Sequence, residues 1–386
     1  MRPIYYLLTA VCLMAPSAAV ANTADFNEDG LVTTADFTAL TEAFGSSDLS
    51  FDLSGNGVVD FPDYLQFLEA YRPSTSGLGI SVERVAGRVD VFDLPTIGSR
   101  PEGIVADPRQ GIWVTEAQGH QLARFDHQVG AFTEYALLSP GGAPYGIDVD
   151  PDGDIWFALS AGNRIGQLDP VSEEFQEYVV PTPGGRPTDL AVDARGMVWF
   201  TEASGNRLAR LDPGTGRLEE ILLESGDDDI NGLQIDPQGY IWFAGREHGK
   251  LYRLRVSDRR IDSFPIKEDI EGIGQISLDS KGRLWFTTGL ELGRFDPADG
   301  SWHYFPVPDS LPRPFALATD TAGRVWVACR ESSRLARFDP ATMRYRVYSL
   351  PEPASSVRQM TVDVRGVLWF TEPGSNRIGR IEDTGP

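Results

Sequence analysis

The chain has 386 residues, with 34 Lys and Arg against 56 Asp and Glu, a formal net charge of −22. That surplus argues against nucleic acid as a partner, because phosphates would be repelled. Past the N-terminal segment no apolar run is long enough to cross a bilayer, and Cys329 is the one cysteine left, so no intrachain disulfide is available there.

Residues 1–21 read as an export signal. Arg2 gives a short positive start, "IYYLLTAVCLMA" is an apolar stretch too short for a membrane span, and the small residues Ala19 to Ala21 form a cleavage site. The expected location is extracellular or periplasmic, after cleavage near Ala21.

Residues 22–72 carry ten Asp and Glu against one Arg. Two stretches there place oxygen-bearing groups at alternate positions of a tight loop. The first offers Asp25, Asn27, Asp29, the carbonyl of Leu31, and Asp36, with Gly30 at the sharp turn. The second offers Asp52, Ser54, Asn56, the carbonyl of Val58, Asp60 and Asp63, with Gly57 at the turn. A hard cation needs six to eight oxygens, and such loops supply them, so two Ca²⁺ sites are expected within residues 25–63. Val32 and Val59 should pair between the loops. Each loop runs into an apolar helical pattern, Phe37–Leu40–Phe44 and Tyr64–Leu65–Phe67–Leu68–Tyr71. A duplicated loop-plus-exit-helix unit closed by Asp resembles a dockerin. The resemblance implies calcium binding and a protein partner; in cellulosomes that partner is a cohesin. Loop positions 10 and 11, which often read the cohesin with Ser/Thr and basic residues, are here Thr34–Ala35 and Phe61–Pro62. Residues 73–84, opening on "PSTSGLG", read as a linker.

Residues 85–386 repeat. Trp113, Trp156, Trp199, Trp242, Trp285, Trp326 and Trp369 stand 43, 43, 43, 43, 41 and 43 residues apart. Each is preceded by a "D-x-x-G" turn, except that blade 1 has Gln110 where the glycine belongs, and each is followed by "G-N-R"-like and "D-P" turns. The units read as four short strands each, a propeller blade. The last unit lacks a fourth strand, and "VDVFDLP", Val89 to Pro95, is a spare one before the first unit, so the N-terminal strand should close the ring at seven blades. One Trp per blade at a fixed place is a packing element, and Cys329 reads as a small buried residue.

Structural positions should be uniform across blades, and functional ones should vary. Two positions vary most. Eleven residues before each Trp stand Glu102, Tyr145, Thr188, Asn231, Gly274, Phe315 and Arg358. Three after it stand Glu116, Leu159, Glu202, Gly245, Thr288, Cys329 and Glu372. Blade 4 adds Arg246 and His248. Together they define a candidate polar site at the channel mouth. The phrases "D-x-x-G-x-x-W-F-T-E" and "G-N-R-I-G-R-I" resemble those of the virginiamycin B (streptogramin B) lyase family. That resemblance implies a seven-bladed propeller, Mg²⁺ at the channel, and an elimination that opens a cyclic depsipeptide, with Glu116, Glu202 and Glu372 in the catalytic positions. The family's inner-strand histidine has no counterpart: His120, His127, His248 and His303 all fall elsewhere in the repeat.

The expected fold is mainly β, a seven-bladed β-propeller preceded by a small α-helical dockerin-like module. The expected function is that of an exported calcium-binding protein whose propeller presents a ligand- or protein-binding face. The alternative is a metal-dependent carbon–oxygen lyase that lacks the family's base.

Overall fold

The structure, a computed structural model, describes residues 26, 39–40, 42–48, 50–60, 62–63, 67, 80–85, 89–109, 111–223, 229–245, 249–267, 272–329, 332–352 and 356–383. The signal segment, the first acidic loop (Asp25, Asn27, Asp29, Leu31, Asp36), and Arg246 and His248 of blade 4 lie outside the described residues. The chain divides into two units, Met1–Ile80 and Ser81–Pro386.

In the first unit, residues 39–40, 42–43, 62–63 and 67 are helical. Leu40, Val59 and Phe67 form a small core, with Phe26 against Phe51 at 4.7 Å between ring centroids. Val32, the expected partner of Val59, lies outside the described residues. The Val59 N–H donates to Ser46 O at 2.9 Å, and its carbonyl accepts from Gly45 N at 2.7 Å.

The second unit is built of seven sheets, and each blade's innermost strand packs on the next, the last against the first. The inner strands are Pro101–Asp107, Pro144–Val149, Pro187–Val192, Ile230–Ile235, Ile276–Leu278, Pro314–Thr319 and Met360–Val362, in blades 1 to 7. Strand β2, Val89–Asp93, pairs antiparallel with Arg377–Ile381 and completes blade 7, which closes the ring with the N-terminal strand. One strand was hidden in the stretch read as a linker. Strand β1, Ser81–Arg84, adds in parallel to the outer strand of blade 6, with Ser81 opposite Arg344 and Arg84 opposite Val347.

The seven repeated tryptophans are all at most 2% exposed. Each packs between its own blade and a neighbour; Trp369, for instance, meets Phe92 and Phe125. The turn aspartate before the Trp has two tasks. One oxygen accepts backbone amides of the turn, as Asp150 does from Asp152, Gly153 and Asp154 at 2.8–2.9 Å. The other accepts the indole N–H: Asp150 from Trp156 at 3.0 Å, Asp236 from Trp242 at 2.9 Å, Asp279 from Trp285 at 3.0 Å. A buried indole donor needs such a partner. In blades 1 and 6 the indole nitrogens of Trp113 and Trp326 are buried without one.

Candidate ligand site at the channel mouth

The inner strands surround a channel cavity of about 1230 Å³. In blades 1, 2, 3, 4 and 6 the inner strand shifts register against its neighbour in the stretch that holds the residue eleven before the Trp. A bulge of this kind re-aims a side chain. Glu102, Tyr145, Thr188, Asn231 and Phe315 line the cavity in those blades; Arg358 of blade 7 also lines it, and in blade 5 Gln275 does so in place of Gly274.

The most ordered part of this wall lies between blades 7 and 1. Glu102 is 3% exposed and holds two guanidiniums, Arg358 Nε at 2.8 Å and Arg100 Nε at 2.8 Å. Arg358 also lies over the Phe315 ring, 5.3 Å from its centroid, and its carbonyl accepts from Gln275 Nε2 at 3.1 Å. Arg100 was not among the sequence candidates. It belongs to a third position, thirteen before the Trp, where Arg100, Arg186 and Arg313 each precede a proline and sit at positive φ of 58°, 54° and 52°. Non-glycine residues there are strained, and such strain gathers at functional sites. The thrice-repeated "R-P" was the sequence signal.

In blades 2 and 3, Asp148 and Asp189 line the same cavity and latch neighbouring blades. Asp148 accepts from its neighbour Val149 N at 2.9 Å and from Val192 N of blade 3 at 2.8 Å. Asp189 accepts from Leu190 N at 3.0 Å and from Leu233 N of blade 4 at 2.9 Å. Burial pushes Asp148 up to about 6, against the two amide bonds. Burial also raises Asp189, opposed by its amide bonds and by the charge of Arg358.

The three glutamates after the Trp do not reach this cavity. Glu116, Glu202 and Glu372 are each 0% exposed, and none lines the channel. They end the second strand beneath the loops that enter each blade, and glycines cover Glu202: a Cβ on Gly185 would come within 2.4 Å of its Oε2, and one on Gly205 within 2.8 Å. Glu372 is paired with Arg377, 4% exposed, which also holds Glu352 at 2.9 Å. Glu116 accepts from Gln121 Nε2 at 3.1 Å. Burial, reinforced by the nearby Glu134 charge and partly offset by Ser99, pushes Glu116 up to about 7. Burial and then the Glu220 charge push Glu202 up to about 7, against Arg207. These neighbours form a repeated clamp that sequence reading missed. Glu134, Glu177 and Glu220, 43 residues apart on the outer strands, each take the N–H and hydroxyl of Thr96, Ser139 and Thr182, at 2.9/2.9, 3.1/2.5 and 2.9/3.0 Å.

Cys329 is buried, and burial pushes its thiol up to about 12, so it is no nucleophile. None of the described histidines, His120, His127 and His303, lines the channel. In the first unit the second acidic loop turns at Gly57, φ +88°. Asp52 accepts from Gly55, Asn56 and Gly57 amides at 2.7–3.1 Å, and Asp63, wholly buried, accepts from Ser54 N and Asp60 N at 2.7 Å. Asn56 Nδ2 reaches Asp60 at 3.2 Å, and Val58 N donates to Asn56 Oδ1 at 2.9 Å. Among the described residues no three acidic, His or Cys side chains converge as a metal site.

The sequence profile of the virginiamycin B lyase family matches residues 75–338 and 216–386. Virginiamycin B lyase from Staphylococcus aureus superposes with a TM-score of 0.70 at 22% identity, covering 77% of this chain and 99% of that one. A catalytically inactive histidine-to-alanine form of that enzyme with quinupristin gives the same values. The extracellular domain of a Bacteroides thetaiotaomicron protein described as a one component system superposes at 0.63 with 16% identity, covering 78% of this chain and 44% of that one. No curated protein sequence matches the chain.

Proposed function

The chain belongs to the virginiamycin B lyase family, and from that premise we propose that it is an exported binding protein whose propeller takes a polar ligand at the channel mouth rather than a lyase. The observation that carries this reading is the separation of the two variable positions. Six of the seven residues eleven before the Trp line the cavity, while Glu116, Glu202 and Glu372 are sealed under the entry loops. An acid or base must come within hydrogen-bond reach of the proton it moves, and these carboxyls do not touch the channel. The relative that lost a histidine is inactive, and no described histidine stands in this channel. Mg²⁺ at the channel belongs to the lyase alternative; of the carboxylates there, Glu102 is held by two guanidiniums and Asp148 and Asp189 by backbone amides.

The test is direct. Purified protein incubated with quinupristin and Mg²⁺ is expected to leave the ring closed. A pull-down from the native secretome, with and without calcium, is expected to yield a ligand whose capture falls with Arg358→Gln. Ring opening abolished by Glu372→Gln would overturn the binding reading.

The N-terminal unit is proposed to be an α-helical, dockerin-like module that holds two Ca²⁺ and docks a protein partner outside the cell or in the periplasm. The second loop fits the ion. Its first and twelfth carboxylates gather backbone amides around a tight glycine turn, and Ser54, Asn56 and the Val58 carbonyl add neutral oxygens. Asp60 stands at the ninth position of the same loop, beside Asn56. Chelation with EDTA is expected to reduce far-UV CD helicity and to lower the first calorimetric transition. An unchanged spectrum and melt would refute the ion sites. No helix among the described residues is long and apolar enough to cross a membrane.

A further inference from the structure

Two walls of opposite sign line the channel mouth, and each is built rather than incidental. On the wall from blades 7 and 1, one buried carboxylate, Glu102, holds two guanidiniums, each through Nε. Among the described residues, the terminal nitrogens of Arg100 and Arg358 have no hydrogen-bond or ion-pair partner. Two cations on one anion leave a unit of positive charge. Glu102 and the Phe315 ring fix its orientation. A preoriented guanidinium fork is suited to bidentate recognition of a carboxylate. On the wall from blades 2 and 3, Asp148 and Asp189 bond to backbone amides and make no ion pair among the described residues. Arg100, Glu102, Arg358, Asp148 and Asp189 line one and the same cavity, so a single ligand there meets both walls. At the outer rim, Arg186 and Asp229 add one charge of each sign and leave the balance unchanged.

We infer that the channel mouth takes a zwitterion of the amino-acid or short-peptide class, its carboxylate on Arg358 and Arg100 and its ammonium toward Asp148 and Asp189. The inference rests on the reading of the mouth as a binding site. Its selectivity follows from what other ligands would leave uncompensated. A simple anion meets the aspartates, a simple cation meets the arginine pair, and a neutral molecule desolvates both walls without pairing either.

Isothermal titration of the full chain with the twenty free amino acids and glycylglycine tests this. Binding by at least one is expected, weakened tenfold or more when its amine is acetylated or its carboxylate amidated. Those ligand changes need no variant, so they remain informative should Asp189→Asn fail to fold. Arg358→Gln is expected to weaken the same ligand at least tenfold, while Arg344→Gln, which removes the same charge from the outer strand of blade 6, leaves it unchanged. Equal binding of the capped forms, or no binding by any of these compounds, overturns the inference. A secretome ligand that depends on Arg358 but carries only one sign of charge overturns it while sparing the mouth reading. Ligand capture that ignores Arg358 overturns both.

Discussion

Glu202 shows how a residue's chemistry depends on where its strand ends. Its type and spacing matched a catalytic position, and those were readable. Its burial was not, because Gly185, which covers it together with the nearby Gly205, comes from the preceding loop and is distant in the chain. The same burial has a measurable result. A carboxyl whose folded pKa is raised to about 7 binds its proton more tightly folded than unfolded. Stability therefore falls as pH rises from the ordinary carboxylate range, about 4.5, to about 7, and the loss is complete above that. Glu202→Gln and Glu116→Gln are each expected to raise the melting temperature at pH 8, to change it little at pH 4, and to flatten the profile between. A profile unchanged by either variant would mean that these carboxyls are ionised in the fold. Glu372 has the opposite arrangement, a buried carboxylate with a buried arginine. Arg377→Ala should cost about 3–5 kcal/mol by leaving that charge alone. Glu372→Gln in the same chain should restore most of the loss; an additive double variant would show the pair is not coupled.

At the scale of the strand, the repeat period was legible because every blade solves the same packing problem. The Trp needs a wall on each side and an acceptor for its N–H; the turn aspartate stands six residues before it in every unit and takes that N–H in blades 2, 3, 4, 5 and 7. Where blades differ, the difference is local compensation. Gly166, Gly293 and Gly379 stand opposite Phe157, Phe286 and Phe370, whose rings lie 1.9–2.2 Å from where a Cβ would be, whereas Phe200 faces Ala209. The closing strand was legible as a spare amphipathic segment, and it bears on the whole ring. Phe92 of β2 touches Phe125 of blade 1 at 4.4 Å and Trp369 of blade 7 at 6.1 Å. Phe92→Ala is expected to destabilise the propeller by about 2–3 kcal/mol, lowering its melting temperature by roughly 5–10 °C in a single transition. Loss of blade 7 alone, with the other blades unshifted, would contradict a ring closed by that strand. Strand β1 was not legible. Its residues, Ser-Val-Glu-Arg, are all exposed, and an edge strand paired on one side has no buried face to print a pattern.

For the molecule as a whole, a net charge of −22 implies self-repulsion that salt screens. The melting temperature is expected to rise between 10 and 300 mM NaCl in calcium-free buffer, and a fall would mean that the surface ion pairs outweigh the repulsion. What the sequence determined by itself was whatever recurs. Seven blades, the velcro closure, the core role of the tryptophans and the polar variability of the inner strand all follow from period, alternation and turn chemistry, which are local. What only the tertiary structure decided was which variable side chains share a space. Glu102 and Asp189 on bulged inner strands, and Arg358 just before the inner strand of blade 7, reach one channel from positions 87 to 256 residues apart. Glu116, Glu202 and Glu372, at the ends of the second strands, are buried apart from it. The physical reason is that a repeat fixes each residue's place within its blade, whereas the channel is made by the closure of all seven, and no single blade contains it.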